Sequence, residues 1–600
     1  LDYKYPIKEN LAAYLSDNGL PESLKSPYPN ANPCRGVFCS RTLDMESIDV
    51  IGYDMDYTLV RYRVDVWEQR AYHYAKEVLR SYGFYVSGLT FINDLVCRGL
   101  IIDKRHGNLV KVDRFGYVRE AMHGTRKMSE EEVLTLYGRD VVDLRNNERY
   151  NFANTLFSAS EGTLYMQLVE RFDDGSLQSQ SLPPFNQEKC SSYSQLYRAC
   201  SNALFHAHVD GDLKEEIQRD PARFIELDSE LVKTLLEQRL AGKKIALITN
   251  SDYVYTDAIM NYLVQAHVNG TDGGLSPLKL NVDENPTEYG YAVGYGGVRV
   301  THWRSLFDVV IVSARKPDFF VNPSNPLFKV VEPSLAGDRF ANQMVAQPLL
   351  QEAFKMETGQ VYNGGSARMV EKLFNTSSDA VLYVGDHVFA DVSVAKATLR
   401  WRTCLVVQEL EAEVLGMAQD QRVRQSIREL QVRKQQLSDV FNHMRVDMRR
   451  HEAESIMVGS SMTSDDECDM AAAARRKSAI MARIESMTAI EATVAELDKE
   501  IAVKLYTYGS SVNVHWGHMS RVGLFDKSHL MRQIEKYADV YTSRVSNLLR
   551  YTPYCYFSAK TQSLAHDRTT DLYPFLEWSE TQRIEGRANG FSGFNGYGEG

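Results

Sequence analysis

No stretch of this 600-residue chain approaches the roughly 18 apolar residues that a membrane-spanning helix needs. The N-terminus also lacks the apolar core of a secretion signal. A basic surplus is missing too: 68 Lys and Arg stand against 79 Asp and Glu, a net charge of -11, with a pI near 5.8. That balance argues against general binding to nucleic acid or to an anionic membrane, both of which need a positive face, and leaves only a local basic patch open. Cysteine is scarce, with eight residues at 34, 39, 97, 190, 200, 404, 468 and 555. Cys34 and Cys39 form C-x4-C, yet no second pair at metal spacing accompanies them. The thiols therefore read as reduced, which suits the cytoplasm. Because the sequence starts at Leu1 rather than Met, an organelle matrix is the alternative if an upstream targeting segment was removed.

What is present is a globular composition, 44% hydrophobic and 24% charged, on a chain too long for one hydrophobic core. The strongest local signal is residues 48–60, I-D-V-I-G-Y-D-M-D-Y-T-L-V. A short apolar run with β-branched residues predicts a buried strand, and ligands of open α/β sheets sit at the carboxyl ends of such strands. Asp54 and Asp56 fall at that edge. Two carboxylates so close suggest a neutralising divalent cation or a shared proton; the plain alternative is an acidic turn.

Three more apolar strands are predicted: 244–250 (K-I-A-L-I-T-N), 307–312 leading into S-A-R-K-P, and 380–384 leading into G-D-H-V-F-A-D. With helical patterns between them they predict a doubly wound α/β core over 46–60 and 236–410. Residues 61–235 interrupt it as an inserted cap, with Trp67, Ala71, Tyr74, Val78 and Leu79 at helical spacing. Residues 1–45 read as an N-terminal arm. Residues 411–505 read as a helical hairpin: Val423, Ile427, Leu430, Leu437, Phe441 and Met444 recur at heptad-like spacing, as do Ile480, Ile484, Met487, Val494, Leu497 and Ile501. Helices packed on the core fit that periodicity equally well. Residues 506–585 read as a helical segment on the core, and 586–600 as a flexible Gly-rich tail.

The polar residues after the four strands can form one phosphoryl-transfer site. Asp54 would be the nucleophile and Asp56 the group that protonates the leaving oxygen and then deprotonates water. Thr249 and Asn250 offer a hydroxyl and backbone N–H groups to phosphate, Lys316 supplies positive charge, Asp386 joins the metal's oxygen shell and Asp391 orients metal-bound water. Each cluster alone has a structural explanation as a helix cap, a solvated loop or a turn. Their order after successive strands makes that explanation a poor one for all four.

These segments, D-M-D-Y-T-L, T-N-S-D-Y, A-R-K-P-x-F-F and Y-V-G-D-H-V-F-A-D, resemble the four motifs of the haloacid dehalogenase superfamily, and within it the cytosolic purine 5′-nucleotidases specific for IMP and GMP. R-G-L-I-I-D, G-N-L-V-K-V-D, Y-T-D-x-I-M, R-W-R-T and Y-A-D-V-Y extend the likeness over about 30–410 and 505–557. The resemblance implies a Rossmann-like core, an aspartyl-phosphate route, Mg2+ held by Asp54, Asp56 and Asp386, and phosphate contacts from Thr249, Asn250 and Ser251. It also implies a nucleotide monophosphate substrate, with no nucleic-acid or membrane partner, and a homo-oligomer. In the cap it carries over only in part. His208 and Lys214 match residues that surround ribose and base, but Ser201 and Phe205 stand where the family has Arg and Asp, and Thr125-Arg126 where it has Phe-Asn. Arg126 is then either a contact to a different anionic substrate or a solvated arginine.

Two functions follow. One is a nucleoside 5′-monophosphate phosphohydrolase. The other is a catalytically quiet relative acting as scaffold or subunit, for which the altered cap, the hairpin and the tail as surfaces for a protein partner speak; the intact motifs speak against it.

Overall fold

Val50, Ile51 and Tyr53 are buried on both faces, as a central parallel strand requires, and they form the middle of a ten-stranded sheet. The computed structural model describes residues 33–138, 140–155, 158–177, 190–209, 212–269, 281–282, 293–295, 298–300, 302–331, 348–459, 467–524 and 526–559. In chain order the sheet strands are β1 (Val37–Cys39), β2 (Val50–Tyr53), β3 (Lys244–Ile248), β4 (Val309–Val312), β5 (Leu327–Val331), β6 (Leu349–Ala353), β7 (Val361–Gly364), β8 (Val381–Gly385), β9 (Arg402–Val406) and β10 (Val540–Thr542). They lie in the order β1-β10-β9-β8-β2-β3-β4-β7-β5-β6. The run from β10 to β7 is parallel, and β1, β5 and β6 are antiparallel edges.

From β2 the chain proceeds to β3 and β4 on one side and returns to β8 and β9 on the other. The topological switch point therefore falls at β2, and the loops after β2 and β8 diverge there to leave a crevice. Register places Ile51 beside Ile245 and Leu382, so the ends of β2, β3 and β8 emerge level with one another.

Between β2 and β3 the chain builds α1 (Val64–Ser81), a five-stranded antiparallel sheet, α2 (Tyr193–Val209) and α3 (Asp212–Arg219); α4 (Tyr253–Asn269) follows β3. The face of α1 that carries Trp67, Ala71, Tyr72, Ala75 and Leu79 at three- and four-residue spacing is buried. One apolar cluster runs from Tyr53, Met55 and Tyr57 through α1 to Leu204 and Leu213, tying the inserted elements to the sheet.

Two long helices, α5 (Gln421–Gly459) and α6 (Glu467–Thr507), lie side by side. Ile427 packs with Ile501, Tyr508 and Leu524, and Lys434 pairs with Asp498 farther along. Farther out, Val432, Val440, Val446, Met481 and Ile484 are exposed, although Ile484 belongs to the apolar repeat. The C-terminal segment differs from the helical reading: Val540–Thr542 is a strand inside the sheet, paired to β9 and β1, between a helix at His529–Tyr537 and a 3-10 turn at Val545–Arg550. The chain divides into two units, Leu1–Phe557 and Ser558–Gly600, and the elements named here lie in the first. The N-terminal arm up to residue 32, the hairpin tip at 460–466 and the Gly-rich tail fall outside the described residues.

Glu68, on the buried face of α1, is fully enclosed. Its Oε2 accepts from the Ser160 backbone N–H at 2.6 Å, while Oε1 has no hydrogen-bond partner among the described residues. Burial pushes its carboxyl up to about 7. A raised carboxyl binds its proton more tightly in the fold, so its stability contribution is complete below the unfolded value near 4.5 and is lost as pH rises through 7. Glu68→Gln removes that loss. The variant should melt a few degrees above wild type at pH 8.5, on the order of 3 kcal/mol, and at the same temperature near pH 4; equal melting temperatures at both pH values would show that Glu68 is not charged in the fold.

Candidate active site

Asp54 leaves the end of β2 with its backbone N–H still donated to the Val384 carbonyl of β8, 2.9 Å away, so the sheet ladder itself fixes where the carboxylate starts. Two loops then adopt left-handed backbone at non-glycine residues: Tyr57 after D-M-D (φ 55°), and Ser313 and Arg315 before Lys316 (φ 47° and 61°). Such conformations persist only where the surroundings enforce them. Asn250 is part of that enforcement. Its Oδ1 accepts from the Lys316 N–H at 2.6 Å and its Nδ2 donates to the Lys316 carbonyl at 3.2 Å, pinning the backbone that delivers the lysine.

Lys316 puts an ammonium at the centre of a buried acidic cluster. Its Nζ lies 2.7 Å from Asp54 Oδ1 and 3.0 Å from Asp391 Oδ1, and donates to the Tyr383 hydroxyl at 3.1 Å. Burial by itself would pull the ammonium down, yet Asp391 and Asp54 hold it well above its ordinary value, so it stays charged. Asp386 adds a third buried carboxylate, and one oxygen from each of Asp54, Asp386 and Asp391 lies within 4.8 Å of the others. Burial, with Lys316 opposing and Asp391 adding to it, pushes the Asp54 carboxyl up. Burial, then the Asp391 and Asp54 charges, raises Asp386 further. One ammonium cannot balance three carboxylates. An oxygen-only donor set with surplus negative charge is what a hard divalent cation fits.

Gly385 permits the arrangement: a Cβ there would sit 2.6 Å from Asp391 Oδ2 and 2.8 Å from Asp391 Cβ. The His387 N–H donates to Asp391 Oδ2 at 3.2 Å, and His387 Nδ1 accepts from the Phe389 and Ala390 N–H groups, which closes the turn that carries Asp391. Burial lowers His387 to about 4, so its ring is neutral. Behind the cluster Arg98 donates to the Asp386 carbonyl.

The Asp56 carboxylate lies outside the three-carboxylate group. Tyr62 donates to its Oδ1 at 2.6 Å and Ser251 Oγ to its Oδ2 at 2.7 Å, and the Tyr62 hydroxyl meets that of Tyr255 at 2.9 Å. Asp391, expected behind the ligands, stands in the group instead. Thr249 is also turned away: its Oγ1 accepts from the Ser251 N–H at 3.1 Å.

Asp54, Asp56, Asn250, Ser251, Lys316, Asp386 and Asp391 line one cavity of about 450 Å3, within the range of small-molecule sites. Lys214 reaches the same cavity, 3.9 Å from Asp252 and 5.1 Å from the Tyr255 ring. Arg126 does not line it. It is 60% exposed on an edge strand of the inserted sheet and is bound by both Nη atoms to Glu132, the fate of a surface arginine. His208 lies on α2, and its side chain is outside the described residues. Sequence reasoning missed Trp67, Thr155, Leu213, Tyr255 and His387 as lining residues, and noted Phe205 only as a replacement. Trp67 and Leu213 carry no signal beyond helical periodicity, whereas Tyr255 and His387 sit inside quoted motifs.

The pattern of the 5′ nucleotidase family matches residues 37–569. The chain is 27% identical over 397 residues to 5′-nucleotidase domain-containing protein 2 of Homo sapiens, covering 64% of this chain and 64% of that relative's length. It is 24% identical over 532 residues to a 5′-nucleotidase domain-containing protein of Dictyostelium discoideum, covering 88% of this chain and 73% of the relative.

If the three carboxylates hold a cation, titration with Mn2+ followed by electron paramagnetic resonance should find one site that Asp386→Asn weakens about tenfold or more. Gly385→Ala, by displacing Asp391, should weaken it comparably while leaving the far-ultraviolet circular dichroism unchanged. Unaltered Mn2+ affinity in both variants would place the cation elsewhere.

Proposed function

The chain belongs to the 5′ nucleotidase family, and from that premise we propose that it is a metal-dependent phosphohydrolase that removes phosphate from nucleoside 5′-monophosphates through a phosphoaspartyl intermediate on Asp54. One observation carries the reading: a buried lysine clamped between Asp54 and Asp391, with Asp386 beside them and a cavity opening onto all four. A divalent cation, Mg2+ being suited to carboxylate donors, would be held by Asp54, Asp386 and Asp391 and would keep the carboxyls ionised while drawing charge from the phosphoryl oxygens.

The chain's own groups do the rest. The Asp54 carboxylate oxygen attacks phosphorus, and the bond from phosphorus to the ester oxygen breaks. Asp56 gives its proton to that leaving oxygen, releasing the nucleoside. Water then attacks the phosphoryl group on Asp54, losing a proton to Asp56, which frees phosphate and restores both residues. Lys316 neutralises charge where it develops on the transferring oxygens, while the Ser251 backbone N–H is donated to Thr249 Oγ1 and the Ser251 hydroxyl to Asp56. Asn250 acts through Lys316, whose backbone it grips.

Ser251 and Tyr62 hold the Asp56 carboxylate from both sides, which fits an acid–base group that must not drift onto the metal. The resemblance, through His208 and Lys214, would narrow this to IMP and GMP; the broader class of nucleoside 5′-monophosphates is the one proposed. A homo-oligomer and a cytoplasmic location rest on the resemblance in the same way. Arg126, paired to Glu132 outside the cavity, has no part in the proposed reaction. Among the described residues no helix is long and apolar enough to cross a membrane.

Phosphate release from purine and pyrimidine monophosphates with Mg2+ tests the proposal. Asp54→Asn should lower turnover by about a thousandfold or more, since it removes the nucleophile. Wild type that releases no more phosphate than Asp54→Asn on any of these substrates would transfer the assignment to the quiet scaffold.

A further inference from the structure

Among the described residues, and beyond the carboxylates, the polar groups that line the cavity are nearly all engaged with the protein. The Asn250 side chain holds the Lys316 backbone, Ser251 Oγ is donated to Asp56, the Tyr255 hydroxyl is bonded to Tyr62, and His387 Nδ1 accepts two backbone N–H groups. Thr155 Oγ1 meets Ser158 Oγ at 3.4 Å. Lys214 is thus the least engaged polar side chain of the lining, and a single ammonium at a cavity mouth does not read the donor and acceptor pattern of a base edge.

What the cavity offers instead is aromatic and aliphatic surface: Trp67, Phe205, Leu213 and Tyr255. Trp67 is fixed, its ring 4.4 Å from that of Tyr62 and 6.1 Å from that of Tyr57. Phe205 is the contrary case. It lies on α2 between buried Leu204 and exposed His206, lines the cavity, and still leaves 63% of its surface open. Its ring stands 6.2 Å from that of the neighbouring His206, and most of its surface is left uncovered at the opening of the site.

We infer that this chain selects the leaving group of its substrate by stacking a flat ring on Phe205, with Trp67 and Leu213 as the remaining apolar wall, and not by hydrogen bonds to the base edge. The inference rests on the phosphomonoester reading of the carboxylate cluster and deepens it. Every nucleobase has a π-face, so stacking tolerates purines and pyrimidines alike. The cavity therefore takes nucleoside 5′-monophosphates as a class and discriminates against phosphomonoesters that carry no ring.

Binding read on a protein that does not turn over separates this inference from the hydrolytic one. Equilibrium dialysis of the Asp54→Asn protein with Mg2+ should give dissociation constants for AMP, GMP, CMP and UMP within about tenfold of one another, and a constant for ribose 5-phosphate more than tenfold weaker. Adding Phe205→Ala should remove the preference of nucleotides over ribose 5-phosphate, and Phe205→Tyr should keep it. Because Phe205 is largely exposed, neither substitution opens a hole in the core. A spread above tenfold among the four bases, ribose 5-phosphate binding as tightly as nucleotides, an unchanged preference in Phe205→Ala, or no binding by any of these ligands would each overturn the inference. The expected binding pattern in a protein whose wild type fails to hydrolyse nucleotides would instead uphold it and defeat the phosphohydrolase alone.

Discussion

A single buried ammonium shared between carboxylates decides how the centre of this protein works. Lys316 stands within 3.0 Å of both Asp54 and Asp391, and Asp386 lies beside them. Removing such charges from water is costly, and even with the Arg98 guanidinium behind Asp386 the cluster keeps a surplus of negative charge. That imbalance has two outlets, protonation of a carboxyl or capture of a cation. The raised Asp54 and Asp386 carboxyls express the first. A cation would discharge the same strain and leave Asp54 ionised, the form a nucleophile needs.

The four residues are separated by up to 337 positions in the chain, from Asp54 to Asp391, and only the topology brings them together. The crevice at the switch point receives the ends of β2 and β8, and β3 and β4 contribute their loops from one side. Small local devices then set the side chains. Gly385 makes room for Asp391, Asn250 grips the Lys316 backbone, and His387 closes the turn that follows. Most of what surrounds the cluster serves to hold charges apart from water and at fixed distances.

Much of this was legible in sequence for a physical reason. Buried parallel strands must be apolar, so each ends in a sharp change of composition, and the polar residues at 54, 249–251, 316 and 386 stand out against it. The division of labour among the acids was not legible. Asp56 is two residues from Asp54, yet the hydroxyls of Tyr62 and Ser251 hold its carboxylate outside the cluster, and Asp391, 337 positions from Asp54, stands in it where Gly385 leaves room. The wall of the cavity was equally hidden. Trp67 and Leu213 follow helical periodicity like any core residue, and only the packing of α1, α2 and α3 over the sheet shows that their faces border the carboxylates. Arg126, which reads from sequence either as a substrate contact or as a solvated arginine, is exposed and paired with Glu132, six positions on. Three residues carry too little periodicity to identify an element by themselves, so the strand at 540–542 is hidden in a segment that reads as helical.

The central claim is that Asp54 becomes phosphorylated during turnover. Wild-type protein mixed with a nucleoside 5′-monophosphate carrying radioactive phosphorus and Mg2+, quenched in acid within milliseconds and digested, should yield label on the peptide that contains Asp54, lost on treatment with hydroxylamine as an acyl phosphate is. Label on another residue, or phosphate release with no label on the protein at any quench time, would contradict the account.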